Sequence, residues 1–592
     1  MKTHLQDLLR TALSRFLAEA GADASPNIQV EATRDPKFGD FQSNLALQLA
    51  KPLGKQPRAV AEALVRLLPA SEQVIKVEIA GPGFINIFVA RAAFQAVVAE
   101  VLQHKENYGR DDSGARGKVM VEFVSANPTG PMHVGHGRGA AYGDTLANLL
   151  AATGWSVWRE YYVNDAGRQV DVLAVSVWLR YLELHGQSLP FPRRGYAGDY
   201  IRPVAQKIGE AHGARYLRKA AEVAAGLPPD PAVPEEASEE ERERLKQVQE
   251  TYADALIARA RQLLGADYEM LQRFALEDQL DVIRQTLAAF AVRFDQWYSE
   301  RELVESGLAE KRRAELIASG HTYEKDGALW FRTTEHGDDK DRVLVKAGGA
   351  ATYFGNDLAY HVDKLDRGWS QLIDVWGADH HGLLVRMRAA LESLTGRKDA
   401  LRIQLIQFVT LSSGKMGKRS GNFVTLQDLI DQAGTDATRF FYLMRSHDQH
   451  LEFDLDLARS RSNDNPVYYV QYAHARIQSV FAQLREKGGA YDQAAGLAAL
   501  ARLDNEEERA LLSLLRRYPE MLRKAAGEHE PHTLVFFLKD LAEALHSYYN
   551  LHRFLLPDDA ALQAARLALI AAVRQVLRNA LSILGVSAPD KM

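Results

Sequence analysis

Two histidines, His133 and His136, stand three apart in the stretch SANPTGPMHVGHGRGAAYGD (125–144), just after Pro128 and Pro131. An apolar run, KVMVEFV, precedes it, and helical spacing of Leu146, Leu149 and Leu150 follows. The turn therefore opens a helix. A helix N-terminus presents unpaired N–H groups and the positive end of the dipole, and so attracts phosphate. Glycine at 135, 137 and 139 lets backbone approach a bulky anion closely. Two imidazoles can donate to phosphate oxygens whose charge grows during attack at an α-phosphate. Taken alone, the same pair also reads as a metal pair or as two structural histidines.

A second stretch bears on that choice. GKMGKRSGN (414–422) sets Lys415, Lys418 and Arg419 among glycines, after the last apolar strand of the same region. Cations on such a loop can close over a pyrophosphate leaving group and neutralise it. By itself, a solvated basic loop is the better reading. The histidine turn opening one αβ half and the lysine loop closing the other form a more specific combination than either alone.

The elements that must hold these groups follow from periodicity. KVMVEFV is nearly continuously apolar, as a parallel strand covered on both faces should be. Turn, helix and a second strand, SVWREYYV, follow it; SQLIDVWGADHHG and IQLIQFVTL resume the pattern far downstream. The predicted class is α/β, a Rossmann-type doubly wound domain over 118–460. A charged helical insertion occupies about 172–293, and PEEASEEERERLKQ within it reads as a solvated helix with acids at its N-terminal end. Residues 1–106 read as a small α+β unit, with a turn at Pro82-Gly83 between two strands and a linker at Lys105–Gly117. Residues 465–592 read as an all-α bundle with arginine and tyrosine interleaved.

The bulk composition sets outer limits. A chain of 592 residues exceeds one core, so several domains are expected. Without cysteine, disulfides and thiolate metal sites are excluded. The N-terminal segment carries charges throughout, and no run reaches the roughly eighteen apolar residues of a membrane span. The cytoplasm and no membrane partner are expected. A net charge of −5 announces no polyanion partner, although a local basic face is compatible with it.

At this point the chain resembles a known family. HVGH is similar to the HIGH signature, and KMGKR to the KMSKS signature, of class I aminoacyl-tRNA synthetases. DPKFGDFQSN, VEIAGPGFIN, REYYVNDAG, GALWFRTTEHGDDKDRVLVK, TYFGNDLAYHVDKL, IDVWGADHHG and NPVYYVQYAHARI resemble the bacterial-type arginyl-tRNA synthetases, across almost the whole chain. Gly417 and Arg419 depart from the signature, standing where it has serines.

The resemblance implies an arginine–tRNA ligase that forms arginyl-adenylate from L-arginine and ATP, then transfers arginine to the 3′ end of tRNA(Arg). It implies His133, His136, Lys415 and Lys418 as catalytic groups. It adds Pro128, Gly130, Gly135, Gly377, Asp379 and Met416 to the ATP site, with Mg²⁺ accompanying ATP, no prosthetic group and no dedicated metal site. It implies Glu122 and Asn127 near the ammonium and carboxylate of arginine, Tyr353 and Asp357 near its guanidinium, and His381 close by. A guanidinium never sheds its charge and pairs best with a carboxylate beside an aromatic face. The same residues also admit a plainer reading, with Glu122 in a structural salt bridge and Asp357 as a surface acid. For tRNA the resemblance implies Phe38 and Asn44 in the N-terminal unit. In the bundle it implies Tyr468, Tyr472 and Arg476, which could stack on unpaired bases. A monomer is expected. The rivals are a small-molecule nucleotidyltransferase, a tRNA-binding protein without catalysis, and a class I synthetase for another amino acid.

Overall fold

Five parallel strands make the central sheet: β1 (Lys118–Glu122), β2 (Ser156–Val163), β3 (Gln296–Ser299), β4 (Gln371–Gly377) and β5 (Leu401–Ile406). The computed structural model describes residues 1–33, 36–348, 353–397, 399–412 and 424–592, and leaves the side chains of Tyr353, Asp379 and His381 undescribed. The spatial order is β3-β2-β1-β4-β5. This is the doubly wound order, and it places the switch point between the carboxyl ends of β1 and β4, where ligands bind in such folds. The structural neighbours, the parallel sheet, the N-terminal unit and the helical C-terminal part bear out the expected fold class.

Two apolar runs end earlier than their composition implies. KVMVEFV leaves the sheet at Glu122, because Val124 and Ser125 take φ of 69° and 39°. IQLIQFVTL divides into β5 and a short strand, Val409–Leu411, which pairs with Leu451–Phe453 outside the central sheet. The break at Gln407 is held by Arg138, whose guanidinium donates to the carbonyls of Gln407, Gln449 and Ser446 at 2.7–2.8 Å. Arg138 is 1% exposed, its hydrogen-bond partners among the described residues are carbonyls, and burial lowers its pKa to about 10.

Between β2 and β3 the chain makes helices Arg168–Leu184, Ile201–His212, Glu239–Leu264 and Asp267–Ala289, which form a core of their own, while Leu276, Leu280 and Ile283 of the last are buried in the main core. The acidic helix starts at Ser238, which caps Glu241 N–H, with Glu239, Glu240 and Glu241 in its first turn. A three-stranded antiparallel sheet (Thr322–Lys325, Ala328–Phe331, Arg342–Val345) packs with helices Tyr353–Asp366 and Leu384–Thr395 through Phe331, Leu344, Phe354, Leu358 and Met387.

The N-terminal unit is a four-stranded antiparallel sheet with helices around Leu5, Leu9, Leu45, Leu64 and Ile85. Its core ends at Val89. The next helix, Arg91–His104, buries Val97, Val98 and Val101 in the core shared with the C-terminal helices. The segment expected as a linker is tied down as well. Tyr108 is buried, lies against Tyr518 and donates to Leu515 O at 2.9 Å.

The last 128 residues form helices Pro466–Glu486, Gln493–Ala498, Glu506–Glu528, His532–Leu551 and Ala560–Leu584. Ala560–Leu584 is long and apolar enough to cross a bilayer, yet 78% of its apolar window is buried inside the bundle. Its length and apolarity therefore answer to a central place in a helical core.

Candidate functional site

The histidine turn is built by capping. His133 is the N-cap of the helix Val134–Ala152, and its Nδ1 accepts Gly135 N–H at 3.0 Å. His136 Nδ1 accepts His133 N–H at 3.2 Å, closing a reciprocal box. The rings stack with centroids 3.7 Å apart. Each Nδ1 is an acceptor, so each neutral ring carries its proton on Nε2. Burial lowers the pKa of both histidines, and burial together with the neighbouring His133 takes His136 to about 3. The turn is thus a pair of neutral N–H donors at the positive end of a helix.

Packing gives several glycines of this turn and helix a further reason. A Cβ at Gly137 would lie 2.6 Å from Leu426 Cδ1, and one at Gly143 would lie 2.3 Å from Phe123. Both serve close packing of the helix against its neighbours. A Cβ at Gly135 would meet the His133 ring at 2.9 Å, so that glycine makes room for the cap; nothing lies within 4 Å of one at Gly139. A Cβ at Gly130 would meet Tyr200, whose hydroxyl donates to Thr129 O. Pro128 is buried beside it.

The histidine turn is joined to the chain that follows the lysine stretch. Val134 N–H donates to Val424 O at 3.2 Å, and Leu426 N–H to Met132 O at 2.8 Å. Lys415, Met416 and Lys418, with Gly417 and Arg419, lie outside the described residues.

A neutral donor held at about 3, as His136 is, should not titrate near neutrality. A histidine whose folded pKa falls below its unfolded value of about 6.5 withdraws stability as pH drops below that value. Nitrogen NMR of the imidazoles should show His136 as the Nε2–H tautomer from pH 5 to 8. A protonated ring at pH 6 would contradict the capping box.

At the switch point the backbone is strained. Val124 is β-branched, and for such a residue φ of 69° is unfavourable by about 1–3 kcal/mol. Ser125 holds it there: its hydroxyl donates to Glu122 Oε1 at 2.9 Å and accepts Tyr162 N–H at 3.1 Å. Asn127 stands exposed beyond this bend and accepts from Asn164 at 2.8 Å.

Glu122 itself is committed to the protein. The ammonium of Lys364, 0% exposed, donates to Glu122 Oε2 at 2.5 Å and to Asp374 Oδ1 at 3.0 Å. His361 Nε2 meets Asp374 Oδ2 at 2.5 Å. The structural salt bridge is therefore the arrangement Glu122 adopts, rather than an open carboxylate. Burial alone would raise Asp374, but Lys364 and His361 outweigh it and hold the carboxyl near 2. Glu122, His361 and Asp374 have the grouping of a metal site, and the Lys364 ammonium already supplies a cation to both carboxylates.

Asp357 differs. It lies in the helix Tyr353–Asp366, and its carboxylate has no hydrogen-bond partner among the described residues. Burial pushes it up to about 7, and Glu300 and Glu122 add repulsion that His361 and Lys364 only partly offset. Glu300, at the end of β3, is 6% exposed, accepts from Asn356 Nδ2 at 3.3 Å, and is also raised by burial. Tyr162 is raised by burial and then by Glu300, Asp357 and Glu122. Glu300, Asp357 and Glu122 thus repel one another and the Tyr162 hydroxyl, and of the three Glu122 is paired with the Lys364 ammonium. Glu300 is the residue that sequence reasoning passed over. Its only local signal is an acid directly after the strand QWYS.

Gly377 ends β4, and Asp379 and His381 fall in the turn Ala378–Leu383 that follows. Tyr353 begins the Asp357 helix, one turn before Asp357. The side chains of Tyr353, Asp379 and His381 lie outside the described residues.

Two surfaces away from the switch point hold the remaining candidates. On the helix Pro466–Glu486, Tyr468 and Tyr472 stack at 6.0 Å, and the Arg476 guanidinium lies 4.5 Å over Tyr472 and 4.8 Å over Tyr549. In the N-terminal unit Phe38 is 51% exposed, and Asn44 precedes a short helix and accepts from Gln48 at 2.7 Å.

Comparisons with known proteins follow this layout. The family model for the arginyl tRNA synthetase N terminal domain matches residues 3–89, that for the class I (R) tRNA synthetase catalytic domain 97–189, and that for the DALR anticodon binding domain 470–592. An arginine–tRNA ligase of Thioalkalivibrio sulfidiphilus is 51% identical over 599 residues, covering 100% of both chains. One from Halorhodospira halophila is 51% identical over 601 residues, again covering 100% of both. The solved arginyl-tRNA synthetase of Thermus thermophilus, 24% identical with 100% coverage of both chains, shares the fold with a TM-score of 0.74.

Proposed function

The chain belongs to the arginine–tRNA ligase family, and from that premise we propose that it activates L-arginine with ATP and transfers it to the 3′ end of tRNA(Arg). The observation that carries the substrate assignment is the Asp357 carboxylate, which has no hydrogen-bond partner among the described residues and lies close enough to Glu300 and Tyr162 for their charges to interact. A guanidinium is the ligand whose charge stays fixed there.

In this reading the arginine carboxylate attacks the α-phosphate of ATP, with pyrophosphate leaving. His133 and His136 donate through Nε2–H to phosphate oxygens, and the helix N-terminus adds its dipole. Lys415 and Lys418 neutralise the leaving pyrophosphate, and Mg²⁺ enters with ATP as part of the substrate. Pro128, Gly130, Gly135, Gly377, Asp379 and Met416 line the nucleotide. Asn127, Tyr353 and His381 complete the amino-acid site with Asp357. Glu122 acts through the Lys364 network instead of by direct contact, a change from its expected role. Tyr468, Tyr472 and Arg476 form a stacking platform for unpaired bases of tRNA, and Phe38 and Asn44 touch it elsewhere. The enzyme works as a monomer in the cytoplasm.

ATP–pyrophosphate exchange, measured with each standard amino acid and with and without tRNA, tests this reading. Exchange should appear with arginine alone and require tRNA. Exchange driven by lysine or glutamate, and none by arginine, would refute it.

A further inference from the structure

Away from the switch point, metal-ligand side chains converge where the three-stranded sheet meets the helix Leu384–Thr395. A ring nitrogen each of His321 and His336 and a carboxylate oxygen of Glu335 all lie within 4.8 Å of one another. His321 Nδ1 is 3.3 Å from Glu335 Oε2, the separation of two ligands that share an ion at about 2.0–2.2 Å. Glu392 Oε2 lies 3.6 Å from His336 Nδ1. The His336 side chain is 14% exposed and that of His321 33%.

The His336 ring is oriented from behind. Ser393 Oγ donates its one proton to Ala389 O at 2.9 Å, so it accepts from His336 Nε2–H, also at 2.9 Å. That keeps the proton on Nε2 and turns the Nδ1 lone pair toward the Glu392 carboxylate. A lone pair and a carboxylate facing each other repel unless a proton or a metal ion lies between them, and the cluster with His321 and Glu335 points to the metal ion. Metal-ligating histidines are commonly fixed by such a partner on the far ring nitrogen.

We propose that His321, Glu335 and His336, with Glu392 alongside, bind a divalent transition-metal ion of the zinc class. Imidazole and carboxylate donors without thiolate suit that class. The ligands come from three places: the residue before the first strand of the small sheet, the turn Thr333–His336 after its second strand, and the helix Leu384–Thr395. The ion ties the small sheet to that helix, which begins directly after the turn bearing Asp379 and His381. Its role is structural, and it takes no part in the adenylation proposed above.

The test uses tag-free full-length protein, freed of metal with a chelator and titrated at pH 7.5 with Zn²⁺ or Co²⁺ alone. One equivalent should bind, with Co²⁺ giving visible ligand-field bands and Zn²⁺ raising the thermal midpoint. His321→Ala and His336→Ala should each weaken that equivalent at least tenfold. Glu335→Gln, at a half-exposed position where folding is not at stake, should weaken it too. Ser393→Ala, which keeps every ligand but releases the ring, should weaken it about tenfold. His4→Ala, whose imidazole bonds Ser71 elsewhere, should leave it unchanged. Absence of a stoichiometric equivalent, or one that Glu335→Gln and both histidine variants leave intact, overturns the site.

Discussion

Asp357→Asn should lower kcat/KM for arginine in ATP–pyrophosphate exchange by about 10²–10⁴-fold, because the ligand's guanidinium would be buried with no full charge opposite it, a loss of about 3–5 kcal/mol. Citrulline, a neutral isostere, should lose far less, so the gap between the two substrates narrows. Folding should respond in the opposite direction. Burial raises the folded pKa of Asp357 to about 7, against about 3.9 in an unfolded chain. Between those values the folded protein holds the extra proton, so stability falls as pH rises. The Asn variant escapes that penalty. It should be more stable than the parent at pH 8 and nearly equal to it at pH 4. The same linkage sets ligand affinity: arginine favours the ionised carboxyl, so binding should tighten from pH 6 to pH 8 and release protons, readable by calorimetry in two buffers. A variant that melts early at pH 8 yet activates arginine normally would make Asp357 structural and transfer the guanidinium to Glu300.

Lys364→Met should have the largest effect on stability. The ammonium is fully buried between Glu122 and Asp374, and the two carboxylates raise its pKa despite the opposing effect of burial. Methionine fills the space and leaves two acids buried without their cation. Breaking such a group from one side costs about 3–5 kcal/mol, visible as an earlier urea midpoint at pH 7.5. In the parent, Asp374 is held near 2, so its stabilising contribution persists down to about pH 4 and is lost below that. In the variant the bare acids favour protonation, so its deficit should shrink between pH 7 and pH 5. An unchanged midpoint at pH 7.5 would show that the ion group contributes nothing to the fold. Because Glu122 closes the strained bend at Val124 and Ser125 through the Ser125 hydroxyl, arginine activation should fall together with stability.

Some of this protein was determined by sequence alone. The histidine turn is local: the cap, the box and the glycine that makes room for it lie within four residues, so HVGHG carries its own geometry. The same holds for the buried residues Val119–Val121 of β1, whose doubly covered faces demand an apolar run, and for the acidic helix start behind Ser238. The family motifs rest on such short-range requirements, which is why they were legible across almost the whole chain.

Only the tertiary structure decided which charges were already spoken for. Neither acid shows in sequence whether it has a partner: Glu122 lies in an apolar strand and Asp357 on a helix. Glu122 meets an ammonium 242 residues away, whereas Asp357 meets repulsion from Glu300 and no hydrogen-bond donor among the described residues. Arg138 sits inside the histidine stretch like a phosphate ligand, yet it reaches carbonyls some 270–310 residues onward. The helix Arg91–His104 has the periodicity of a terminal element of the first unit, but its apolar face is buried with the last helices of the chain. Periodicity and capping act over a few residues and can be read in order. The pairing of buried charges depends on which distant segment returns to the same place, and the linear order of residues does not record that.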